Sequence, residues 1–359
     1  MSLRSIVEQL LTEDASSVQE RERCAFDEFA GNLRDSIVFM GAGGLGRRCL
    51  AGLRAQGLEA IAFADNNPKL WGTSVDGLTV FSPEEAARRF GESAVFVVTI
   101  WGAHSSDRMR DRQAKLQSLG CRKVVPFGPL FWKYPQGVLP HYAADLPHKV
   151  LKQAGDVLRV FDLWSDERSR CEYVAQLKWR LTGDFESLSP PETGDIYFSP
   201  EFIRLLPDEV YVDCGAFDGD TIQTFLKASG GSFRRIFAFE PDPASFEKLS
   251  RMVNTLPDDV QQRTELDRAA AGAKNGKVCF SAQGSLSSHV GEGDLEVIAI
   301  TLDGRLEVAP TFVKMDIEGA EPDALSGARN HIQESSPILA ISNYHSQNHL
   351  WSIPLLFTR

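Results

Sequence analysis

The sequence predicts an α/β protein with two doubly wound, Rossmann-like domains joined by a helical connector. Short apolar strands alternate with helices twice along the 359 residues, and each round includes a glycine-rich turn directly after a strand. Between the two rounds lies a stretch with closely spaced prolines and a charged, helix-like pattern. We place the domains at residues 1–130 and 209–359 and the connector at residues 131–208.

Composition narrows the class of protein. The chain is 43% hydrophobic and 24% charged, which is typical of a soluble globular protein. No apolar run approaches the roughly eighteen residues of a membrane helix, and we expect a cytoplasmic protein. The net charge of −11 argues against a nucleic-acid partner, because phosphate binding needs a basic face. The six cysteines form no CxxC pair, which argues against a zinc site and a disulfide framework.

The first domain opens with an amphipathic stretch over residues 5–33, followed by a strand over residues 36–40 and the turn Gly41-Ala-Gly-Gly-Leu-Gly46. A second strand over residues 60–64 ends at Asp65. The GxGxxG spacing between a strand and a helix brings backbone amides close to a phosphate, so Gly41, Gly43, Gly46 and Asp65 are candidates for binding a nucleotide. A scaffold that positions a substrate or a partner subunit explains the same pattern equally well. The other expected elements are a helix at 47–56, a strand at 94–100, a helix at 106–119 and a strand at 123–126.

The second domain begins with a strand over residues 210–214 that leads into Gly215-Ala-Phe-Asp-Gly-Asp220. An acid that closes an apolar strand, followed by a glycine, lets a ligand approach the backbone closely, and Asp213 could accept a hydrogen bond from an ammonium group. A tight turn capped by acids is the alternative. The next strand, over 235–239, ends at Glu240, where nucleotide-binding α/β units hold ribose hydroxyls through a carboxylate. Later strands of this doubly wound sheet are expected at 265–271, 277–281, 296–301, 312–315 and 338–342.

Two segments near the end of the chain carry further polar residues: Phe312-Val-Lys-Met-Asp316-Ile-Glu318-Gly319-Ala320-Glu321 and Leu339-Ala-Ile-Ser-Asn-Tyr344-His345. Together with the Asp-Cys-Gly-Ala-Phe-Asp-Gly-Asp-Thr and Phe-Glu-Pro-Asp strings, they resemble the signature of the FkbM family of S-adenosylmethionine-dependent methyltransferases. The resemblance covers about residues 197–356. It implies transfer of a methyl group from S-adenosylmethionine to a hydroxyl oxygen of a sugar, glycan or polyketide.

The expected cofactor contacts lie at the carboxyl ends of the strands, where doubly wound sheets bind ligands. Asp267, at the end of the third strand, is a candidate for contacting the adenine amine. The full set of expected cofactor-binding residues is Asp213, Gly215, Ala216, Phe217, Asp218, Glu240, Pro241, Asp267 and Asp316.

The acceptor side needs a group that takes up a proton, because a sugar hydroxyl is a weak nucleophile near neutral pH. His345 is the best-placed imidazole, and Asp316 and Glu318 could orient the acceptor or share the proton. We expect Lys314 to pair with one of these two carboxylates. Asp316, Glu318 and His345 could instead hold a divalent metal, but acid–base work is the preferred interpretation and no metal is assigned.

The first domain also carries a resemblance. Ala64-Asp-Asn-Asn-Pro-Lys-Leu-Trp-Gly72, followed by Ser82-Pro-Glu-Glu85, resembles a small Rossmann-like domain attached to sugar-modifying transferases. Two other functions therefore remain open: an NAD-dependent oxidoreductase that uses the N-terminal glycine turn, and a non-catalytic cofactor-binding scaffold. The expected partner is a small-molecule or glycan substrate, and a homo-oligomer is left open.

FkbM family members continue past the Leu350-Trp-Ser-Ile-Pro-Leu355 segment into two further strands, whereas this sequence ends at Arg359. We therefore expect the fifth strand of the second domain to lie at an open edge of its sheet. Another chain, or the helical connector, could cover that edge.

Overall fold

The computed structural model describes residues 2–101, 108–190, 194–281, 289–290, 293 and 295–358. The chain divides into two compact units, a first unit of residues 1–191 with 346–359 and a second unit of residues 192–345. Each unit contains a predominantly parallel sheet and helices, so the expected fold class of two Rossmann-like α/β domains with a helical middle segment is confirmed.

A six-stranded sheet forms the centre of the first unit. Its order is β3-β4-β2-β1-β5-β6, parallel except for β3, which runs antiparallel to β4. The order reverses between β1 and β5, and ligands bind such sheets at the carboxyl ends of the strands beside this reversal. The strands are β1 (Ile37–Met40), β2 (Ala62–Ala64), β3 (Ser74–Val75), β4 (Leu78–Phe81), β5 (Val95–Val98) and β6 (Lys123–Pro126).

The helices of the first unit begin and end at residues suited to those positions. At one of them the Ser82 hydroxyl accepts a hydrogen bond from the Glu85 amide, with Pro83 in the first turn. Another ends at Gly183, whose positive φ of 71° closes the last turn. The helices are α1 (Leu3–Leu11), α2 (Ala15–Ala30), α3 (Gly44–Ala55), α4 (Pro83–Phe90), α5 (Met109–Ser118), α6 (Phe127–Lys133), α7 (Pro147–Leu151), α8 (Ala154–Leu163) and α9 (Glu167–Thr182), with 3-10 turns at Gly31–Leu33, Pro68–Leu70 and Phe185–Ser187.

The predicted connector of residues 131–208 is shared between the two units. Its helices α7, α8 and α9 belong to the first unit, because their apolar side chains pack into that unit's cores. Trp179 joins the cluster around the six-stranded sheet, and Val157 and Leu177 pack in a second cluster with Trp351 near the end of the chain. Residues 192–208 belong to the second unit. Residues 106 and 107 of the helix expected at 106–119 lie outside the described part of the chain.

The second unit contains a five-stranded parallel sheet of order β15-β14-β7-β8-β9. Its order reverses between β7 and β14, which places the ligand crevice there. The strands of this unit are β7 (Val210–Cys214), β8 (Arg235–Phe239), β9 (Thr264–Asp267), β10 (Ala270–Ala271), β11 (Gly276–Ser281), β12 (His289–Val290), β13 (Leu295–Ile300), β14 (Phe312–Met315) and β15 (Ile338–Ile341).

The expectation that the strands at 277–281 and 296–301 and the end of the strand at 265–271 join the doubly wound sheet was wrong. β10, β11, β12 and β13 form a separate sheet of order β10-β13-β11-β12, in which β11 runs antiparallel to β12 and β13. The predicted strand 265–271 is therefore split between two sheets, as β9 and β10. Exposed residues recur along β11 and β13, and Lys277 pairs with Glu296 across them. Strands with one exposed face are typical of an antiparallel sheet that has one side in contact with solvent.

Helices flank the parallel sheet of the second unit. Asp242 begins one of them by accepting hydrogen bonds from the amides of Ala244 and Ser245, with Pro243 in the first turn. The helices are α10 (Asp220–Ala228), α11 (Pro243–Val253), α12 (Asp258–Gln261), α13 (Leu302–Arg305), α14 (Glu321–Ser326) and α15 (Arg329–Ser335). The last helix of the chain, α16 (His349–Leu355), belongs to the first unit.

Strand β15 lies at one edge of the five-stranded sheet, and all four of its residues are half-buried.

Across the described residues, every helix is too short or too polar to cross a bilayer.

An aromatic cluster on one face of the second unit's sheet supplies much of its core. The rings of Tyr211 and Phe225 stack with centroids 4.4 Å apart, and Phe198 packs against Phe312 at 5.2 Å. Burial of large side chains is the main favourable contribution to folding. This cluster therefore anchors strands β7 and β14, which flank the crevice.

Phe225→Ala should lower the free energy of unfolding by about 3–5 kcal/mol, because it leaves a cavity in this cluster. Phe202→Ala, at a side chain that is 64% exposed, is the control and should change it by about 0.5 kcal/mol or less. Urea unfolding of both variants measures the difference. Equal effects would show that the cluster does not stabilise the unit.

Candidate functional site

In the second unit, the loop after β7 meets the loop after β14 at the reversal of strand order, where doubly wound sheets bind ligands. We call this region the crevice of the second unit. Gly215 has a φ of +79°, and a Cβ atom there would lie 2.1 Å from the carbonyl oxygen of Asp316. Glycine is therefore required for the two loops to approach each other, in addition to any role beside a ligand. Ala216 follows it and is fully buried.

Asp213 and Lys314 form a buried ion pair beneath this crevice. They are register partners on the adjacent strands β7 and β14, and Lys314 Nζ lies 2.9 Å from Asp213 Oδ1. The Thr221 hydroxyl donates to the second Asp213 oxygen, and Lys314 Nζ also donates to the Gly215 carbonyl at 2.7 Å. Asp213 is thus engaged by the protein itself, at 0% exposure.

The expectation that Lys314 pairs with Asp316 or Glu318 was wrong. Lys314 points toward β7 because parallel neighbours in register present their side chains to the same face of the sheet. Burial would lower the pKa of Lys314, but the carboxylates of Asp213 and Asp316 outweigh it and hold that pKa above its ordinary value. The lysine therefore stays charged and keeps Asp213 compensated.

Glu240 stands at the end of β8, where its carboxylate accepts two backbone hydrogen bonds. The Phe217 amide donates to one oxygen at 2.9 Å and the Asp242 amide to the other at 2.8 Å. Burial raises the pKa of Glu240 to about 7, against the opposing effect of the two amides. Phe217 holds a positive φ of 49° in this arrangement, so the carboxylate fixes the loop after β7.

Three further expected cofactor residues lie around this pair of strand ends. Asp218 and Pro241 are half-buried in the loops after β7 and β8. Asp267 ends β9, and its carboxylate pairs with Arg305, whose Nε donates to Oδ1 at 3.1 Å. Arg305 also donates to Glu265 at 2.9 Å. Asp267 is therefore held by an arginine, a contact that its sequence neighbourhood did not indicate.

Asp316 follows β14 and carries the most accessible carboxylate of the central group, with a side chain that is 27% exposed. Two tyrosine hydroxyls donate to it: Tyr197 to Oδ2 at 2.9 Å and Tyr344 to Oδ1 at 3.2 Å. These hydrogen bonds fix its orientation. No local pattern indicated Tyr197, which lies 119 residues from Asp316 in the chain, whereas Tyr344 directly precedes His345.

His345 lies among three carboxylates with only 1% of its side chain exposed. Its Nδ1 is 2.8 Å from Glu321 Oε1, and its Nε2 is 3.3 Å from Asp316 Oδ1 and 3.5 Å from Glu318 Oε1. Burial would lower the pKa of His345, but hydrogen bonds to Glu318 and Glu321 and the charge of Asp316 raise it to about 9. This raised pKa favours the cationic form of the imidazole at neutral pH.

The structure thus brings together Asp316, Glu318 and His345 as expected and adds Glu321, which is fully buried. Glu321 also accepts the amide hydrogen of Ile317 at 3.0 Å. Its position at the start of α14 has an ordinary explanation in helix capping, which is why the sequence alone gave it little prominence.

The first unit has a crevice of its own at the glycine turn. A cleft of about 600 Å³ is lined by residues that include Gly41, Gly43, Asp65 and Trp101. Asp65 Oδ2 accepts the Ala42 amide hydrogen at 2.8 Å, so the acid and the turn are held together. Three of the four expected residues therefore line the cleft.

The fourth, Gly46, lies inside α3 and is buried. A Cβ there would lie 1.9 Å from the Gly41 carbonyl oxygen, so this glycine serves close packing of the helix against the turn.

Comparison with known families bears directly on the second crevice. Residues 213–353 match the Methyltransferase FkbM domain, and this range includes Glu240, Asp316 and His345. The C-terminal part of the chain is an FkbM methyltransferase domain. A domain of this family implies S-adenosylmethionine as the methyl donor.

The fold has a solved counterpart. The crystal structure of methyltransferase FkbM from Methylobacillus flagellatus KT is similar to this chain with a TM-score of 0.76 and 23% sequence identity, covering 99% of this chain and 91% of that one. At that identity the likeness concerns the fold alone.

The Rossmann-like N-terminal region resembles other proteins. A redox-sensing transcriptional repressor Rex from Roseiflexus sp. (strain RS-1) is 33% identical over 109 residues, which are 30% of this chain and 48% of the repressor. The chain thus spans about half the length of this curated relative. A UDP-D-quinovosamine 4-dehydrogenase from Vibrio fischeri aligns with 25% of this chain and 75% of its own, at 22% identity and a TM-score of 0.21.

Lys314→Met should lower the free energy of unfolding by about 3–5 kcal/mol, because it leaves the Asp213 carboxylate buried without its counter-charge. The double variant Asp213→Asn/Lys314→Met should recover a large part of this loss, since it removes both charges. Urea unfolding of Lys314→Met, Asp213→Asn and the double variant provides the comparison. A double variant that is as unstable as the sum of both single variants would show that the pair is not coupled.

Proposed function

We propose that this protein transfers a methyl group from S-adenosylmethionine to a hydroxyl oxygen of a small-molecule or glycan acceptor, in the crevice between β7 and β14. The observation that supports this most is the FkbM domain match over residues 213–353, which coincides with the carboxylate-rich strand ends of the second unit. Bound S-adenosylmethionine would supply a methyl group on a cationic sulfonium.

The donor side of the crevice fits that molecule by the chemistry of its groups. Glu240 has two oxygens with about four lone-pair sites in all, of which two accept backbone amides, so ribose hydroxyls can still donate to it. The surrounding acids favour a cationic ligand by simple attraction. Asp213, buried under the loop, supports the donor site by holding Lys314 and the Gly215 loop in place.

On the acceptor side we assign the base to Asp316 rather than to His345. The Asp316 carboxylate is partly exposed and is held by the hydroxyls of Tyr197 and Tyr344. As the new carbon–oxygen bond forms and the sulfur–carbon bond breaks, Asp316 would take the proton of the acceptor hydroxyl. His345, already protonated, would stabilise the neighbouring carboxylates and orient them.

The charge of the crevice also bears on the acceptor. Asp316, Glu318 and Glu321 surround the imidazole of His345, and the buried Lys314 is paired with Asp213. An anionic acceptor would be repelled there. We therefore expect a neutral hydroxyl compound rather than a phosphorylated or carboxylated one.

Binding of S-adenosylhomocysteine should be about tenfold weaker at about pH 6 than at about pH 8, because Glu240 gains a proton below its pKa of about 7 and no longer offers an anionic acceptor to the ribose. Glu240→Gln should bind at least tenfold more weakly than wild type at pH 8 and show little of this pH dependence. Calorimetry at the two pH values measures both.

Glu247→Gln, at an exposed carboxylate on α11, is the matched control and should bind like wild type. Failure of a folded wild-type chain to bind S-adenosylhomocysteine at either pH would refute the donor site.

The N-terminal cleft supports a second, separate proposal. We propose that it binds a nucleotide, with the amides at the start of α3 near a phosphate and Asp65 at a ribose hydroxyl. A helix that begins at Gly44 after the glycine turn, with no side chain capping it, leaves these amides available to a ligand. The volume of about 600 Å³ is that of a small-molecule site.

Asp65→Ala should weaken binding of NADH to the full chain at least tenfold, as followed by nicotinamide fluorescence. Asp76→Ala, at an exposed carboxylate paired with Arg47, is the control. NADH oxidation with an added carbonyl compound would instead favour the oxidoreductase alternative. Absence of binding by NADH and by UDP-sugars would favour a scaffold.

A further inference from the structure

We propose that Asp316, Glu318 and His345, with Glu321 behind the imidazole, form a binding site for a divalent metal ion on the acceptor side of the crevice. This deepens the proposed function and rests on it only for the chemical use of the ion, since the site is defined by the protein's own side chains. Asp316, Glu321 and His345 each offer a ligand atom within 4.8 Å of the others.

The two ring nitrogens of His345 face different carboxylates. Nδ1 lies 2.8 Å from Glu321 Oε1, a hydrogen-bond distance, and Glu321 is itself fixed by the Ile317 amide. A carboxylate on one ring nitrogen is the usual support of a metal-bound histidine, because it sets the tautomer and the ring orientation. This contact directs Nε2 toward Asp316 and Glu318.

The distances on the Nε2 side suit a shared cation. Nε2 is 3.3 Å from Asp316 Oδ1 and 3.5 Å from Glu318 Oε1. Ligands bound at about 2.1 Å are separated by about 3.0 Å at right angles and about 3.4 Å in a tetrahedron. An ion could therefore replace the proton on Nε2 with small movements of the two carboxylates.

Charge favours the same occupant. Asp316, Glu318 and Glu321 surround one imidazole, and Lys314 Nζ, the nearby buried cation, is bound to Asp213 and to the Gly215 carbonyl. Closely spaced carboxylates repel one another strongly at a site with little water. A divalent cation would offset this excess of negative charge.

The site is accessible from one side, which indicates a catalytic rather than a structural ion. The side chains of His345 and Glu321 are at most 1% exposed, whereas those of Glu318 and Asp316 are 18% and 27% exposed. Sites that act on a substrate leave a coordination position open. An ion there would bind the acceptor hydroxyl and make its proton easier to remove. One nitrogen and two carboxylates suit a metal such as Mn²⁺.

The test is Mn²⁺ titration of the full chain after removal of metals with EDTA, followed by the electron paramagnetic resonance signal of free Mn²⁺. We expect one ion per chain at micromolar affinity, with a nitrogen coupling from one imidazole in the pulsed spectrum. Asp316→Asn and Glu318→Gln should each weaken binding at least tenfold, and Glu247→Gln on α11 should leave it unchanged. Both test residues are partly exposed, so the variants should retain the fold.

Binding weaker than millimolar, or equal binding by Asp316→Asn and wild type, would overturn the metal site. Titration with S-adenosylhomocysteine in EDTA separates the two proposals. Donor binding without Mn²⁺ binding refutes the metal and keeps the methyltransferase, and Mn²⁺ binding without donor binding does the reverse.

Discussion

The ion pair between Asp213 and Lys314 is the interaction on which the crevice of the second unit depends. It joins β7 to β14 at the point where the strand order reverses, and both side chains are almost fully buried. Two buried charges are tolerated only when each is compensated. Because Lys314 also binds the Gly215 carbonyl, the pair determines where the loop after β7 lies relative to Asp316.

Around this pair, each carboxylate acquires a different role from its immediate partners. Glu240 is held by two backbone amides, Asp267 by an arginine and Glu321 by an imidazole. Asp316 accepts hydrogen bonds from two neutral tyrosine hydroxyls, lies 3.3 Å from His345 Nε2 and remains partly exposed, which supports the proposal that it meets the acceptor. These carboxylates therefore differ in their surroundings, because the groups that compensate their charge differ.

The two units share one arrangement of strands and turns, but the residues at their proposed binding sites differ. Each has a parallel sheet whose order reverses once, and in each a glycine turn follows the strand beside that reversal. In the first unit a single acid, Asp65, holds the turn, and the cleft is lined largely by glycine, asparagine and apolar residues. In the second unit, several carboxylates lie at the crevice. The cleft of the first unit suits a phosphate bound by backbone amides. The crevice of the second unit suits a cationic methyl donor.

The sequence by itself determined four of the six strands of the first unit's sheet, the five strands of the second unit's parallel sheet, the two glycine turns and the carboxylates at the strand ends. Apolar periodicity and turn residues are local signals, which is why these features could be predicted. Only the tertiary structure decided that β10, β11 and β13 leave the main sheet, that Lys314 pairs with Asp213, and that Tyr197 reaches Asp316. These outcomes depend on strand register and on contacts between residues about a hundred positions apart. Local sequence patterns do not indicate such partners, because only folding brings these distant residues into contact.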